Sequence, residues 1–520
     1  MELPTDNRPS SSIPLPVTAD NNSDRFRSGQ YPSSLEITHK GFCDETPIRK
    51  VPVEIWVEIF SESCGLWVGY GSVSVPTLAF SQTCSFWRAI TLSTPKLWSK
   101  LNLHLGIDKR GLQDLFSLYL DRSYPSHLVL EVRAAGTPTA RGLAIFWMLM
   151  DASYRWREAK LDFAWASGPN GSISSQLEAY LRSHPVQFDN LETLELLRDL
   201  KPYPAYHRFL PTTLKGSTAL RLVKMEGFLK EYAQAFAHLN EIHLDLNDIQ
   251  DLADCFTVCG QLRRARLAPR ACNFDPILSN DSKIIHHQLS SLECDFTYPE
   301  DLNAVLSSLV LPALVTLKVS LELPSLEVSE YFINLSRTLE SIKSMIVESS
   351  CTLRELELWE GLIPSSRSPP DQPLMELLNL TPMLTRLTLC AQRYSVLSDK
   401  LFRSLTLSSS LTTALLPLLE VFHIYIIDDP DFYHSEDGSP LSNEPLPDPE
   451  VVAMMVSSRR SEVSRTRLKS FKFDVTLDPR TVPSADAWIK SFTDRALPRL
   501  RELEVGGLEL VVQLEMEKLF

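Results

Sequence analysis

A six-residue pattern, apolar-x-x-apolar-x-apolar, recurs through most of the chain and restricts the folds open to it. It is plain in Leu191-Leu194-Leu196, Leu239-Ile242-Leu244, Leu314-Leu317-Val319, Leu353-Leu356-Leu358, Leu384-Leu387-Leu389 and Leu500-Leu503-Val505. Weaker copies are Trp98-Leu101-Leu103, His127-Leu130-Val132, Trp156-Ala159-Leu161, Leu220-Val223-Met225, Leu262-Ala265-Leu267, Leu289-Leu292-Cys294, Leu419-Phe422-Ile424 and Leu468-Phe471-Phe473. The last two apolar positions alternate with polar residues, the period of a short strand with one buried face. Between copies lie stretches with helical spacing, such as Phe228 to Leu239 and Tyr331 to Ser349. Successive copies stand roughly 20 to 40 residues apart, with one gap near 50. No single unit of this kind buries its own apolar face. Stacking the units lays their strands side by side in a parallel sheet and makes one continuous core. The expected fold class is α/β: a small N-terminal helical module followed by an irregular solenoid with a parallel sheet.

This strand-plus-helix repeat resembles the leucine-rich repeat, over roughly Trp98 to Leu510. It departs from that family at the position three residues past the strand, where an Asn would satisfy backbone groups of the inner turn. Asn247 supplies one; Asp199, Arg270, Glu322 and Gln392 stand at the equivalent places elsewhere.

The 520-residue chain carries a formal charge of −14, which argues against general affinity for nucleic-acid backbone, since that needs clustered cations. Its one basic run, Arg459, Arg460, Arg465, Arg467 and Lys469, reads as a solvated repeat edge, with a nuclear-localisation or phosphate patch as the alternative. The nine cysteines follow no spacing framework, so free thiols in a reducing compartment, cytoplasm or nucleus, are expected. The Asn-x-Ser/Thr triplets at Asn21, Asn170, Asn280 and Asn334 are then chance matches. The polar, proline-rich start does not read as a signal peptide, and the apolar run Ala144 to Met150 is too short to span a bilayer. Residues 1–46 hold too few large apolar groups to offset ordering entropy and are expected to be a disordered tail. Residues 428–450, with eight acidic groups and no Lys or Arg, read as a mobile acidic insert, or as a partner contact or phosphorylation site.

The sharpest local signal is Val51 to Trp98. Pro52 suits the first turn of a helix, where its missing N–H costs nothing. Ile55, Trp56, Ile59 and Phe60 then share one side, with Glu54, Glu58 and Glu62 on the other. A loop from Gly65 to Val75 is expected next. Leu78, Phe80, Cys84, Trp87 and Ile90 make a second helical stripe, and Thr94-Pro95 starts a third short turn carrying Leu97 and Trp98. Pro52, Glu54, Ile55, Ile59, Phe60, Cys84 and Trp87 match the F-box pattern of Leu-Pro-x-Glu-Ile, Ile-Phe and Cys-x-x-Trp, with Val51 in place of Leu. The segment resembles the F-box, in the form found in fungal F-box proteins with degenerate leucine-rich tails. That resemblance implies an F-box module at 47–100 and a repeat array at 101–520. It also implies a role: the F-box helices pack on the Skp-type adaptor of a cullin-RING ubiquitin ligase while the repeats capture a target. Pro52, Ile55, Ile59, Phe60 and Leu78 are the expected adaptor contacts, with Trp56 added. Cys84 and Trp87 are assigned mainly to holding the helices together. Plain packing within the module is the competing reading of the whole set.

No dinucleotide, P-loop, His-Glu-x-x-His or Gly-x-Ser-x-Gly motif is present. Cys255 and Cys259 lie on an expected helix without a second pair, which favours core packing over zinc, and the neighbouring His286 and His287 point apart. The sequence therefore reads as a non-catalytic interaction protein without cofactor or metal. The alternative to a ligase adaptor is a leucine-rich scaffold acting outside ubiquitination.

Overall fold

A computed structural model describes residues 50–69, 72–133, 139–162, 179–180, 183–184, 186–197, 213–228, 230–269, 283–321, 328–359, 371–391, 398–407, 415–427, 446–460, 467–477 and 485–516. The chain divides into two units, Met1–Ile55 and Trp56–Phe520. Within the first, the described residues are 50–55, a turn leading into the start of a helix. The expected tail, 1–46, lies outside the described residues, as do 428–445 of the acidic insert.

The second unit is mixed α/β and, among the described residues, is built on a sixteen-stranded sheet whose strand order follows the chain except at the N-terminal edge, where Ser72–Ser74 lies outside Leu66–Gly69. Every neighbouring pair is parallel except one hairpin at the N-terminal edge. The register explains why the six-residue pattern recurs. Leu101, Leu130, Ala159, Leu194, Val223, Ile242, Ala265, Leu292, Leu317, Leu356, Leu387, Phe422, Phe471 and Leu510 stand opposite one another in one continuous row. A second row, two residues on, runs from Leu103 through Leu196 and Leu358 to Val512 in the same way. The leading leucine of each copy ends a tight turn: Leu191, Leu220, Leu262, Leu314 and Leu384 each donate a backbone N–H to the carbonyl three residues back. All five are at most 1% exposed. Each such leucine contributes about 1.5–3 kcal/mol of burial, and stacking is what makes that burial possible.

Helix ends in this array need partners for their last carbonyls. They receive them from side chains just ahead of the strands. Trp98 Nε1 donates to the Thr91 carbonyl at 2.8 Å and Trp156 Nε1 to Leu149 at 3.1 Å. His238 and His286 donate from Nε2 to the Ser217 and Cys259 carbonyls, both at 3.0 Å. The Arg155 guanidinium reaches the carbonyls of Leu120 and Ser126. An asparagine ladder is not the device used at Asn247, whose backbone N–H and side-chain amide both donate to Asp251 Oδ2 at 3.2 Å. The equivalent positions at Asp199, Arg270, Glu322 and Gln392 lie outside the described residues.

Five expectations need correction. The copy Leu500-Leu503-Val505 is a helix, Leu497–Val505, and the last strand is Glu509–Met516. Leucines three apart fit a helical face as well as the pattern, Pro498 suits a first turn, and the β-branched Val511 and Val512 make the better strand. The expected loop from Gly65 to Val75 holds two strands, Leu66–Gly69 and Ser72–Ser74, and the first joins the main sheet beside Lys100–His104. Phe228 to Leu239 is helical only over Lys230–Phe236, in two short pieces. The acidic insert ends earlier than expected, because Asp448 caps the helix Pro449–Ser458. Finally, Arg459 is not at a solvated edge: it is 1% exposed, and its guanidinium donates to the carbonyls of Leu405, Leu415 and Leu416 at 2.7–2.8 Å.

The other face of the sheet carries the polar residues of the pattern. Cross-strand ion pairs run along it, including Lys160–Glu195 at 2.7 Å, Arg266–Glu293 at 3.2 Å and Lys318–Glu357 at 3.0 Å. Each partly exposed pair is worth about 0–1 kcal/mol, so they set the character of the surface more than its stability. Burial holds His104 and His423 on this face below the ordinary 6.5. The fold thus favours their neutral forms, while the unfolded chain takes up protons first as the pH drops. Their contribution is complete above about pH 6.5 and is lost as the pH falls towards their folded-state values. The thermal midpoint should therefore decline on acidification from neutrality, and a His104→Asn, His423→Asn double variant should decline less steeply.

Candidate functional site

The helical module owes its form to aromatic packing. The first helix is Val53–Ser63. In the first unit the Ile55 N–H donates to the Pro52 carbonyl at 3.1 Å, and Val53 and Ile55 are 46% and 49% exposed. In the second unit Trp56 and Phe60 turn inward onto Phe80 and Trp87. Phe60 stacks on Phe80 at 4.6 Å, meets Trp87 edge-on at 5.0 Å, and Trp56 lies 5.5 Å from Trp87. Such pairs add about 0.5–1.5 kcal/mol each beyond their area.

The second stripe is two helices, Pro76–Thr83 and Ser85–Ser93, rather than one. Cys84 breaks them in extended conformation, and its Sγ accepts the Trp87 N–H at 3.4 Å, so it is the N-cap of the later helix. The Thr77 hydroxyl joins the module to its surroundings: it donates to the Leu97 carbonyl and accepts the Gly65 N–H, both at 3.0 Å. Gly65 has φ +149°, and a Cβ there would come within 2.9 Å of the Lys100 carbonyl, so the hairpin needs glycine at this point. The Tyr119 hydroxyl donates to the Gly65 carbonyl at 3.2 Å from 54 residues away, and burial pushes its pKa up to about 12. No local pattern pointed to Tyr119, because its partner is a backbone atom in a distant turn.

The expected contact residues thus separate. Pro52, Ile55, Ile59 and Cys84 are exposed, with Ile59 at 51%; Trp56, Leu78 and Trp87 are half-buried. Phe60 is the correction: at 1% exposed it is the centre of the aromatic cluster and presents no surface to a partner. A helix turns 100° per residue, so Ile59 and Phe60 cannot both face outward when the cluster takes one of them. Cys84 holds its helices by capping, not by burial.

Trp87 Nε1 is buried without a hydrogen-bond acceptor among the described residues. Trp87→Phe keeps a ring in the cluster and removes that orphan donor, and should change stability by less than about 1 kcal/mol. Trp87→Ala should cost about 3–5 kcal/mol. Equal losses in the two variants, read by urea unfolding, would show that the indole N–H has a partner.

Elsewhere, Cys255 and Cys259 are fully buried on and just beyond the helix Ile249–Val258, and burial raises the Cys255 thiol well above its ordinary value. His286 is buried as a helix-end partner. Among the described residues no group of three or more His, Cys, Asp or Glu is placed to hold a metal ion, and no helix is long and apolar enough to cross a membrane. No family model matches the sequence, and no curated protein matches it significantly.

Proposed function

We propose that this chain is a substrate-recruiting adaptor of a cullin-RING ubiquitin ligase, with the F-box-like helices binding a Skp-type adaptor and a leucine-rich-repeat solenoid capturing a target. The observation that carries the reading is Ile59. A large aliphatic side chain is half exposed on a helix whose other side is anchored by four aromatic rings. A rigid helix with an uncovered isoleucine at the position where the F-box pattern places its contact is suited to docking, because little ordering entropy remains to be lost. The function follows from proximity. Two binding surfaces on one chain raise the effective concentration of target lysines near the ubiquitin-conjugating enzyme, with no catalytic group required of this chain.

The test is a pull-down of the purified full chain by a recombinant Skp-type adaptor, beside Ile59→Asp. Binding that the folded variant loses supports the adaptor role. Failure of the native chain to bind overturns it and leaves a leucine-rich scaffold acting outside ubiquitination.

A further inference from the structure

The polar face of the sheet holds a cavity of about 290 Å³, lined from the strand Leu66–Gly69 across to Leu222–Glu226. Trp67 forms one end. It is 45% exposed, because the residues opposite it in register, Asn102 and Ser74, are too small to cover an indole. The cations around the cavity are already held. Lys100 Nζ donates to the Ser61 carbonyl at 2.6 Å, and Lys160 and Lys224 reach Glu195 at 2.7 and 3.8 Å. Glu131 is held by Arg133 and Asn102. Glu158 also lines the cavity, is exposed, and has no cationic partner among the described residues. What remains unsatisfied is an aromatic face and a carboxylate, and both attract a cation. The chain's charge of −14 adds a long-range field of the same sense.

Spacing narrows the ligand. The strands bearing Trp67 and Glu158 are three steps apart in the sheet, and the two positions are offset by two residues along the strands. At about 4.8 Å per step and about 3.3 Å per residue this separates them by about 16 Å. An extended segment lying across the strands carries residues i and i+4 on one face about 13 Å apart, and two long cationic side chains cover the difference.

We infer that the cavity between Trp67 and Glu158 docks an extended basic segment of a partner protein, with one Arg or Lys on the Trp67 ring and a second, four residues away, paired with Glu158. This deepens the target-capturing half of the proposed function and rests on that reading for its biological meaning. Its test does not involve the adaptor, so either idea can fail alone.

The experiment is titration calorimetry of the full chain at low ionic strength with the amidated peptide Gly-Arg-Ser-Gly-Ser-Arg-Gly. Two control peptides are used: one with glutamates for the arginines, and one with the arginines adjacent. Trp67 and Glu158 are both exposed, so Trp67→Ala and Glu158→Gln should fold normally. Each is expected to weaken the arginine peptide about five-fold or more, the adjacent-arginine peptide should bind less tightly, and the glutamate peptide should not bind. Absence of binding by the arginine peptide overturns the inference. Equal binding to the native chain and both variants also overturns it, since diffuse attraction to an acidic protein would then explain the result. A preference for the glutamate peptide would assign the cavity to an acidic partner instead.

Discussion

Arg459→Met is expected to destabilise the C-terminal part of the sheet by about 3 kcal/mol or more. Two opposing effects decide the size. Methionine removes the cost of holding a guanidinium away from water, a cost visible in the lowering of the Arg459 pKa to about 10 by burial. Against that, the carbonyls of Leu405 and Leu415 lose the guanidinium that donates to them, and that of Leu416 keeps only the Leu419 N–H at 3.2 Å. Each orphaned group costs about 1–3 kcal/mol, and an unbranched side chain of similar length offers them nothing. Methionine fills much of the volume, so the loss is assigned to hydrogen bonding and not to a cavity. Arg459→Lys keeps the charge but gives up the planar fork that reaches three acceptors at once, and it too should be destabilising. Because a sheet of this length need not unfold in one step, the informative measurement is amide exchange at Leu415, whose N–H donates to the Ser404 carbonyl. Exchange there should accelerate by about two orders of magnitude, since each 1.4 kcal/mol is tenfold. A change of less than a few-fold would show that the Leu405 and Leu415 carbonyls find other partners.

On the proposed adaptor role, Ile59→Asp should leave the protein folded and weaken binding to a Skp-type adaptor at least about 100-fold, whereas Phe60→Asp should unfold the helical module. The two residues are neighbours in sequence, yet they are 51% and 1% exposed. At position 59 an aspartate meets water in the free chain and loses it only on docking, where an unpaired carboxylate in an apolar interface costs several kcal/mol. At position 60 it would stand among the rings of Trp56, Phe80 and Trp87, and the cost falls on folding itself. Circular dichroism of both variants separates the outcomes before any binding is measured. A normally folded Phe60→Asp would contradict the aromatic cluster. A folded Ile59→Asp that binds as tightly as the native chain would remove Ile59 from the contact.

The rows of the sheet were legible in the residues alone. Leucines at fixed offsets before a period-two strand are a local signal, and each unit has one way to bury them, so thirteen of the fourteen readable copies stand in the observed ladder. The fourteenth failed because Leu500-Leu503-Val505 satisfies two periods at once; in the structure Leu510 and Val512 stand opposite Phe471 and Phe473 instead. The helical module was legible in its helices and less so in its surface. That Phe60 faces in and Ile59 out follows from where Phe80 and Trp87 lie, and no spacing rule within one helix contains that information. That Leu66–Gly69 extends the sheet, that Arg459 is interior, and that Trp67 and Glu158 share a cavity emerge from long-range packing. Each of these depends on what another segment brings opposite: a free strand edge, buried carbonyls with capacity for a donor, or residues too small to cover an indole. Pattern in the sequence records which residues need burial, whereas the packing of distant segments decides which polar and aromatic groups find partners and which are left for a ligand.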